Sequence, residues 1–288
     1  MRIWIMAARL RTLPAAVAPV LVGSALSVTE RDLRPGGFVA ALLGAIFIQV
    51  GTNLSNDYSD ARRGADSEDR LGPVRVTAGG LLPPRRVLMG TYVAFAIAVA
   101  SGLYLVAVTG PELLVVGVAS ILAGVLYTGG PRPYGYEGLG EVFVFLFFGV
   151  VAVVGSHFVQ TEQLRLEAFL LSLPVGLLAA AILVVNNLRD IETDRRAGKR
   201  TLAVRIGRAR TRRLFAVIVG AAVLAPLALW PALSAWTLLA LFAVPAALAL
   251  VRTVWQRSDG PSLNAALADT GRLLGVFSFL LALGLLLS

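Results

Sequence analysis

The sequence contains no cysteine, one histidine (His157) and one lysine (Lys199) among its 288 residues. The absence of cysteine excludes disulfide bonds and thiolate metal centres. Charged residues are also scarce, at 15% of the chain, whereas hydrophobic residues reach 57%. A soluble domain of this size is at most about half apolar. The composition therefore argues against a soluble protein.

Long apolar runs of the length needed to cross a bilayer recur along the whole chain. Nine such runs are predicted to span the membrane, covering residues 12–28, 38–55, 87–109, 112–128, 142–160, 168–188, 214–231, 233–251 and 271–287. The runs lack the alternation of barrel strands and are rich in Leu, Ala and Val, so they are predicted to be helices. The first run is expected to be a spanning helix and not a removed signal peptide. The predicted fold is an all-α, polytopic membrane protein with nine transmembrane helices.

The distribution of the 26 Lys and Arg residues predicts the orientation. With the N-terminus in the cytoplasm, only Arg31, Arg34 and Arg165 fall on the outer side of the nine predicted helices. The positive-inside rule therefore places the N-terminus and both long Arg-rich loops in the cytoplasm, with the chain in the inner (cytoplasmic) membrane. The net charge of +9 then reflects topology and an anionic ligand, and we expect no nucleic-acid partner.

Two long loops, 56–86 and 189–213, follow the second and sixth predicted helices. Both open with Asn and Asp, both are rich in Arg, and four helices separate them. This arrangement indicates a duplicated four-helix unit. The domain prediction is one membrane domain over 1–288, made of two units, about 1–141 and 142–251, and a final helix.

Each loop begins with acidic and amide side chains at helical spacing. These are Asn53, Asp57 and Asp60 at i, i+4 and i+7, and Asn186, Asp190 and Asp194 at i, i+4 and i+8. Clustered carboxylates repel one another, and a charge at bilayer depth costs on the order of 3 kcal/mol or more. Divalent cations compensate such charge, and Mg²⁺ takes one or two carboxylates together with waters and a substrate phosphate.

Cations follow the carboxylates in both loops: Arg70 and Arg75 in the first, and Lys199 and Arg200 in the second. Guanidinium and ammonium groups suit phosphate oxygens. The two loops are therefore predicted to face each other and to hold two or more Mg²⁺ ions that clamp a diphosphate. One such loop alone would be equally consistent with salt bridges at a solvated surface. Two matching loops on one membrane face favour the binding site.

The two motifs, "NDYSDARRGAD" and "DIETD", resemble those of the UbiA superfamily of intramembrane aromatic prenyltransferases. Further stretches are similar to the 1,4-dihydroxy-2-naphthoate polyprenyltransferase branch: "WIMAARLRTLPAAVAPVLVGSAL", "YTGGPRPYGYEGLGE" and "NNLRDIETDRRAGKRTLAVRIG". The resemblance implies a helical bundle with a central cavity. It also implies transfer of a polyprenyl group from polyprenyl diphosphate to 1,4-dihydroxy-2-naphthoate, with loss of CO2 and diphosphate, to give demethylmenaquinol for menaquinone biosynthesis.

Roles for individual residues come with this resemblance. The implied metal ligands are Asn53, Asp57, Asp60, Asp66, Asn186, Asp190 and Asp194, with the choice between Asp60 and Asp66 left open. The implied catalytic residues are Asp57, Asp60, Asp190 and Asp194. The implied diphosphate contacts are Arg132, Lys199, Arg200, Arg70, Arg75 and Tyr127. The implied contacts to the aromatic acceptor are Arg9 and Asn56.

Other interpretations stay open at this point. Within the same superfamily, the acceptor could be 4-hydroxybenzoate, homogentisate, a sugar phosphate or a chlorin. An ion-coupled transporter would place its charges near the bilayer midplane in broken helices, whereas these acids lie at helix ends. A CDP-alcohol phosphotransferase would carry its aspartates in one compact motif. For the run "FVFLFFG" from Phe143, core or lipid-facing packing is favoured over the alternative of lining a prenyl tunnel. Glu141 either orients the site or caps the fifth helix.

Overall fold

The computed structural model describes residues 2–30, 32–64 and 71–288, and within these ranges the regular structure is helical, with no strand. The all-α prediction is confirmed. The α-helices, in chain order, are α1 (Arg2–Ala8), α2 (Pro14–Thr29), α3 (Pro35–Arg62), α4 (Pro84–Val108), α5 (Glu112–Leu126), α6 (Gly140–Val144), α7 (Ala152–Thr161), α8 (Leu166–Arg189), α9 (Ile191–Arg196), α10 (Leu202–Leu224), α11 (Pro226–Leu229), α12 (Val244–Gln256) and α13 (Gly260–Leu286).

Seven helical segments in the described ranges are long and apolar enough to cross a membrane, or eight if α1 and α2 count as one bent span. The prediction of nine transmembrane helices is therefore too high by this measure. The difference lies in α5, which has 15 residues. At 1.5 Å per residue it is about 22 Å long, shorter than the roughly 30 Å of a bilayer core.

The first predicted span is broken near its N-terminal end. The axes of Arg2–Thr12 and Pro14–Thr29 differ by 54°. Arg9 adopts a left-handed backbone conformation at the break, with φ 54° and ψ 62°. A non-glycine residue in this region costs energy because its Cβ crowds the backbone. Pro14, which has no N–H to donate, then begins α2.

Two helices extend beyond the apolar runs that predicted them. α3 continues to Arg62 and so carries the whole opening of the first motif. α10 begins at Leu202, where the Thr201 hydroxyl accepts a hydrogen bond from the Val204 amide. Gly207, with φ 79°, kinks α10 after its first turn, and the Arg-rich stretch from Arg208 to Arg213 follows the kink. Hydropathy does not predict these polar helical turns, because they lie beyond the apolar part of the bundle.

The helix α8 lies at the centre of the bundle and packs against α10, α13 and the fifth span. That fifth span is α6, a π-helical segment at Phe145–Val151, and α7. The π-helical segment meets α8 where two glycines face each other. A Cβ on Gly176 would lie 3.0 Å from Gly149 Cα and 2.9 Å from the Phe145 ring. Only glycine allows this separation.

We expect Gly176→Val to destabilise the protein, because the added side chain would force α8 and the π-helical segment apart. Overpacking of this kind costs about 1–3 kcal/mol. The midpoint of thermal unfolding, measured in detergent by circular dichroism, should fall. The matched control is Gly220→Val, since a Cβ there meets no atom within 4 Å. Equal midpoints for the two variants would contradict the close helix packing.

Candidate functional site

A cavity of about 460 Å³ opens between α2, α3, α4, α5, α7 and α8. Most of its wall is aliphatic, including Ile48 of α3, Val106 of α4 and Ile121 of α5. Polar and charged side chains from both sequence motifs line one end. Those from the motifs and their following loops are Asn53, Asn56, Asp60, Arg75, Asn186, Asp190, Asp194 and Lys199. The two motifs therefore meet at one cavity, as the sequence predicts.

Asp60, in the last turn of α3, is the most deeply buried acid at this polar end, with 1% of its surface exposed. Its Oδ2 lies 3.0 Å from Arg75 Nη2 and 3.7 Å from Lys199 Nζ. Its Oδ1 accepts a hydrogen bond from the Tyr136 hydroxyl at 2.6 Å. Lys199 Nζ also lies 4.7 Å from the centre of the Tyr136 ring. One carboxylate thus joins side chains from three separate loops.

The first motif places its two asparagines in the cavity, but Asp57 does not line it. Asn53 Nδ2 donates to Ala8 O at 3.0 Å, and Asn56 Oδ1 accepts from the Thr128 hydroxyl at 2.9 Å. The Asp57 carboxylate instead accepts from two backbone amides, Val76 N at 3.1 Å and Thr77 N at 2.9 Å. The expected face of Asn53, Asp57 and Asp60 is therefore corrected to Asn53, Asn56 and Asp60.

The second motif lines the cavity with all of its predicted residues. Asp190 lies between α8 and α9, and both of its oxygens accept from Arg189: Oδ1 from Nε at 2.8 Å and Oδ2 from Nη2 at 2.5 Å. Arg189 Nη2 also donates to Asn186 Oδ1 at 3.0 Å. Asp194 continues the helical path, since its amide donates to Asp190 O at 2.8 Å.

Glu141 and Asn187 form a second buried polar pair beside the motif. Asn187 Nδ2 donates to Glu141 Oε1 at 2.9 Å, and both side chains are at least nine-tenths buried. Glu141 makes no capping hydrogen bond at the start of α6. Of the two interpretations of Glu141 from the sequence, the structure favours orientation of a cavity side chain, because Asn187 lines the cavity.

The remaining predicted contacts divide into three groups. Arg9 and Tyr127 line the cavity. Arg132 and Arg200 are exposed and do not line it, so the structure does not bring these two predicted diphosphate contacts to the polar end. Asp66 and Arg70 lie outside the described residues.

Aromatic rings form a wall next to the polar end. Tyr127, Tyr134, Phe143 and Phe147 all line the cavity. The Tyr134 and Phe143 rings stack with centres 4.0 Å apart, and the Tyr127 ring meets Tyr134 edge-on at 5.5 Å. Burial raises the pKa of Tyr134 well above its ordinary value, so this phenol stays neutral and donates to Ala123 O. Phe143, Phe147 and Phe148 of "FVFLFFG" line the cavity, as the tunnel alternative expects, and Phe148 also packs against the hydrophobic core.

Sequence reasoning missed several residues of the polar end. Tyr136, Thr128 and Arg189 all contact motif residues. Tyr136 and Thr128 lie in "YTGGPRPYGYEGLGE", a stretch singled out by its similarity, and Arg189 directly precedes Asp190. Their positions in the sequence were therefore visible, but no periodicity indicated which side chains turn towards the cavity.

The side chains at the polar end are suited to a hard divalent cation. Across 2–30, 32–64 and 71–288, no three His, Cys, Asp or Glu side chains form a metal-binding group. Each motif nevertheless combines one buried carboxylate, Asp60 or Asp190, with asparagine side chains that line the same cavity. Mg²⁺ is usually held by one or two carboxylates, with waters and substrate phosphates completing its shell. These oxygen donors fit such an ion.

The described residues form a helical bundle with an apolar cavity that has an acidic-basic end, and comparison with known families identifies the class of protein. The chain belongs to the UbiA prenyltransferase family, whose model matches residues 16–268.

Among individual proteins, the chain is similar to two named enzymes and one solved structure. It is 40% identical to the 1,4-dihydroxy-2-naphthoate octaprenyltransferase of Mycobacterium leprae (strain TN), over 97% of this chain and 94% of that protein. It is 38% identical to the enzyme of the same name from Escherichia coli (strain K12), over 99% and 95%. A UbiA homologue from Archaeoglobus fulgidus bound to GPP and Mg²⁺ shares the fold, with a TM-score of 0.68, 15% identity and 99% coverage of both chains.

We expect Asp57→Ala to loosen the segment after the first motif, because the Val76 and Thr77 amides would lose their acceptor. A hydrogen bond to a charged group contributes about 1.5–3 kcal/mol, so these amides should exchange their hydrogens about tenfold faster or more. Hydrogen–deuterium exchange of peptides that contain Val76 and Thr77 measures this. Asp269→Ala, which removes an exposed carboxylate, is the control. Unchanged exchange in Asp57→Ala would refute the anchoring role.

Proposed function

We propose that this chain transfers a polyprenyl group from polyprenyl diphosphate to 1,4-dihydroxy-2-naphthoate, releasing diphosphate and CO2 and forming demethylmenaquinol. The named relatives at 38–40% identity support the reaction, since they align with nearly the whole chain. The family membership supports the enzyme class.

The observation that carries the proposal is the division of one cavity into an acidic-basic end and an aliphatic remainder. Asp60 and Asp190 supply buried carboxylates from the two motifs, and Arg75 and Lys199 supply cations beside them. An isoprenyl diphosphate has the same division, with a charged head and a long apolar tail. A water-soluble substrate would have no use for the aliphatic walls.

The polar end holds the diphosphate head in this proposal. Asp60, Asp190 and the neighbouring Asn53, Asn56, Asn186 and Asp194 would hold two or more Mg²⁺ ions, and the bound metal would stabilise negative charge on the leaving diphosphate. Lys199 and Arg75 lie against Asp60 and are placed to add direct phosphate contacts. Positive charge from both sources favours cleavage of the bond between the allylic carbon and oxygen.

The aromatic wall receives the positive charge that develops on the allylic carbon. Tyr134, Phe143 and Phe147 line the cavity next to the motifs, and their rings are stacked in sequence. Cations are attracted to such faces, and the attraction grows when water is excluded. Most of the remaining wall is aliphatic and excludes water, which favours the acceptor ring as the nucleophile.

The acceptor reaction needs little from the protein beyond orientation. The ring carbon that bears the carboxylate attacks the allylic carbon, and a carbon–carbon bond forms. Loss of CO2 returns the electron pair to the ring and restores aromaticity, so no side chain has to remove a ring proton. Arg9 is our candidate for the acceptor carboxylate and Asn56 for a second polar contact, because both line the cavity.

The location of the enzyme forms part of the proposal. The apolar helices make it a polytopic membrane protein. We place it in the inner membrane with the polar end of the cavity facing the cytoplasm, supported by the one-sided distribution of Lys and Arg. The position of Asp60 and Asp190 at helix ends favours this enzyme over an ion-coupled transporter.

The decisive experiment incubates purified protein with Mg²⁺, a polyprenyl diphosphate and carboxyl-labelled 1,4-dihydroxy-2-naphthoate. The proposal expects labelled CO2 and prenylated product in equal amounts, and neither in the presence of EDTA. Parallel reactions with 4-hydroxybenzoate and homogentisate test the other acceptors. Product from one of these at a higher kcat/KM than from the naphthoate would overturn the acceptor assignment and keep the class. Absence of product from all three would overturn the function.

We expect Lys199→Met to lower kcat/KM for the prenyl diphosphate by about 10–100-fold, since a charge-assisted hydrogen bond contributes about 1.5–3 kcal/mol. Arg200→Met is the matched control. It removes a neighbouring cation whose side chain is exposed and does not line the cavity, so we expect less than about a threefold change. Steady-state kinetics with the naphthoate at saturation compares the two. A larger loss in Arg200→Met would restore the sequence-based role of Arg200 and contradict the structure.

A further inference from the structure

Asn264, near the start of α13, connects two parts of the polar end although it belongs to neither motif. Its Oδ1 accepts from Arg189 Nη1 at 2.6 Å. Its Nδ2 donates to Leu71 O at 2.7 Å. Because an amide has one acceptor and one donor end, these opposite contacts fix the orientation of the side chain.

The contact with Arg189 continues into the second motif. Arg189 is 2% exposed and uses Nε and Nη2 on both oxygens of Asp190. The same Nη2 reaches Asn186 Oδ1 at 3.0 Å. A guanidinium group is planar and rigid, so a partner on Nη1 fixes the plane in which the other nitrogens point. The bond from Asn264 therefore adds a fixed point, on Nη1, to the three hydrogen bonds that join Arg189 to Asp190 and Asn186.

The contact with Leu71 continues towards the first motif. Gly260 lies one helical turn before Asn264, and a Cβ on Gly260 would lie 3.3 Å from Leu71 side-chain atoms. Leu71 therefore packs directly on the first turn of α13. Four residues later the chain reaches Arg75, which contacts Asp60. The start of α13 thus contacts both the end of the first loop, at Leu71, and the second motif, through Arg189.

We propose that Asn264 is a positioning residue for the divalent-cation site, acting through Arg189 on Asp190. The inference deepens the proposed function and rests on it for the identity of the ion. A hydrogen-bonded partner behind a metal ligand typically accounts for 10–100-fold in metal affinity or activity when it is removed. Asn264 contacts Arg189, which in turn contacts the expected metal ligand Asp190. We therefore expect removal of Asn264 to weaken metal binding about tenfold.

The test uses the full-length protein in detergent with Mn²⁺ as the probe, and free Mn²⁺ is measured by electron paramagnetic resonance. Asn264→Leu keeps the volume and removes both hydrogen bonds, so the Mn²⁺ dissociation constant should rise about tenfold. Asn264→Asp keeps an acceptor for Arg189, so its dissociation constant should stay within about threefold of wild type. Asp269→Asn, an exposed change on the same helix, should match wild type.

Wild-type Mn²⁺ affinity in Asn264→Leu would overturn the inference. If Asn264→Leu unfolds in the detergent, Asn264→Asp decides: affinity within threefold of wild type supports the role of the Arg189 bond, and a tenfold loss overturns it. The Mg²⁺ concentration for half-maximal turnover should shift in parallel with the Mn²⁺ constant. Wild-type protein that binds Mn²⁺ but forms no prenylated product would refute the proposed function and leave this inference standing.

Discussion

The buried carboxylate of Asp60 is the interaction on which the rest of the site depends. A carboxylate removed from water is costly unless cations and hydrogen-bond donors surround it. The chain supplies Arg75, Lys199 and Tyr136, each from a different connecting segment. Three segments that are far apart in sequence therefore contact the two carboxylate oxygens of Asp60 at the end of α3. This convergence holds the three loops together at one end of a cavity whose remaining wall is mostly apolar.

The second motif also has a buried carboxylate, but its charge is compensated from within the motif. Asp190 is compensated by its own neighbour, Arg189, through two hydrogen bonds. The first motif thus takes its cations from other loops, whereas the second carries one within the motif. Asp60 is therefore bound to side chains of other loops, whereas Asp190 is bound to the residue that precedes it at the end of α8. A substrate diphosphate with its metal ions would meet cations from separate loops on one side and the Arg189–Asp190 pair on the other.

The sequence was sufficient to predict the helical membrane fold and the meeting of the two motifs. Apolar runs and the distribution of charge can be read directly from the sequence, because they do not depend on how the helices pack. Side-chain direction is different. Asp57 and Asp60 are separated by less than one helical turn, yet of these two only Asp60 lines the cavity. Asp57 instead accepts hydrogen bonds from the backbone amides of Val76 and Thr77. Asn264 and Arg189 are 75 residues apart, and neither position has a local signal for their contact.

The shortness of α5 has a consequence for the surrounding lipid. A helix about 22 Å long is several ångströms shorter than the hydrocarbon layer, and such hydrophobic mismatch is relieved by local thinning of the bilayer or by flanking polar groups. Residues of α5 also form part of the aliphatic cavity wall, including Gly117 and Ile121. The short helix α5 therefore contributes both to the outer surface of the bundle, where the bilayer would adjust to its length, and to the wall of the cavity.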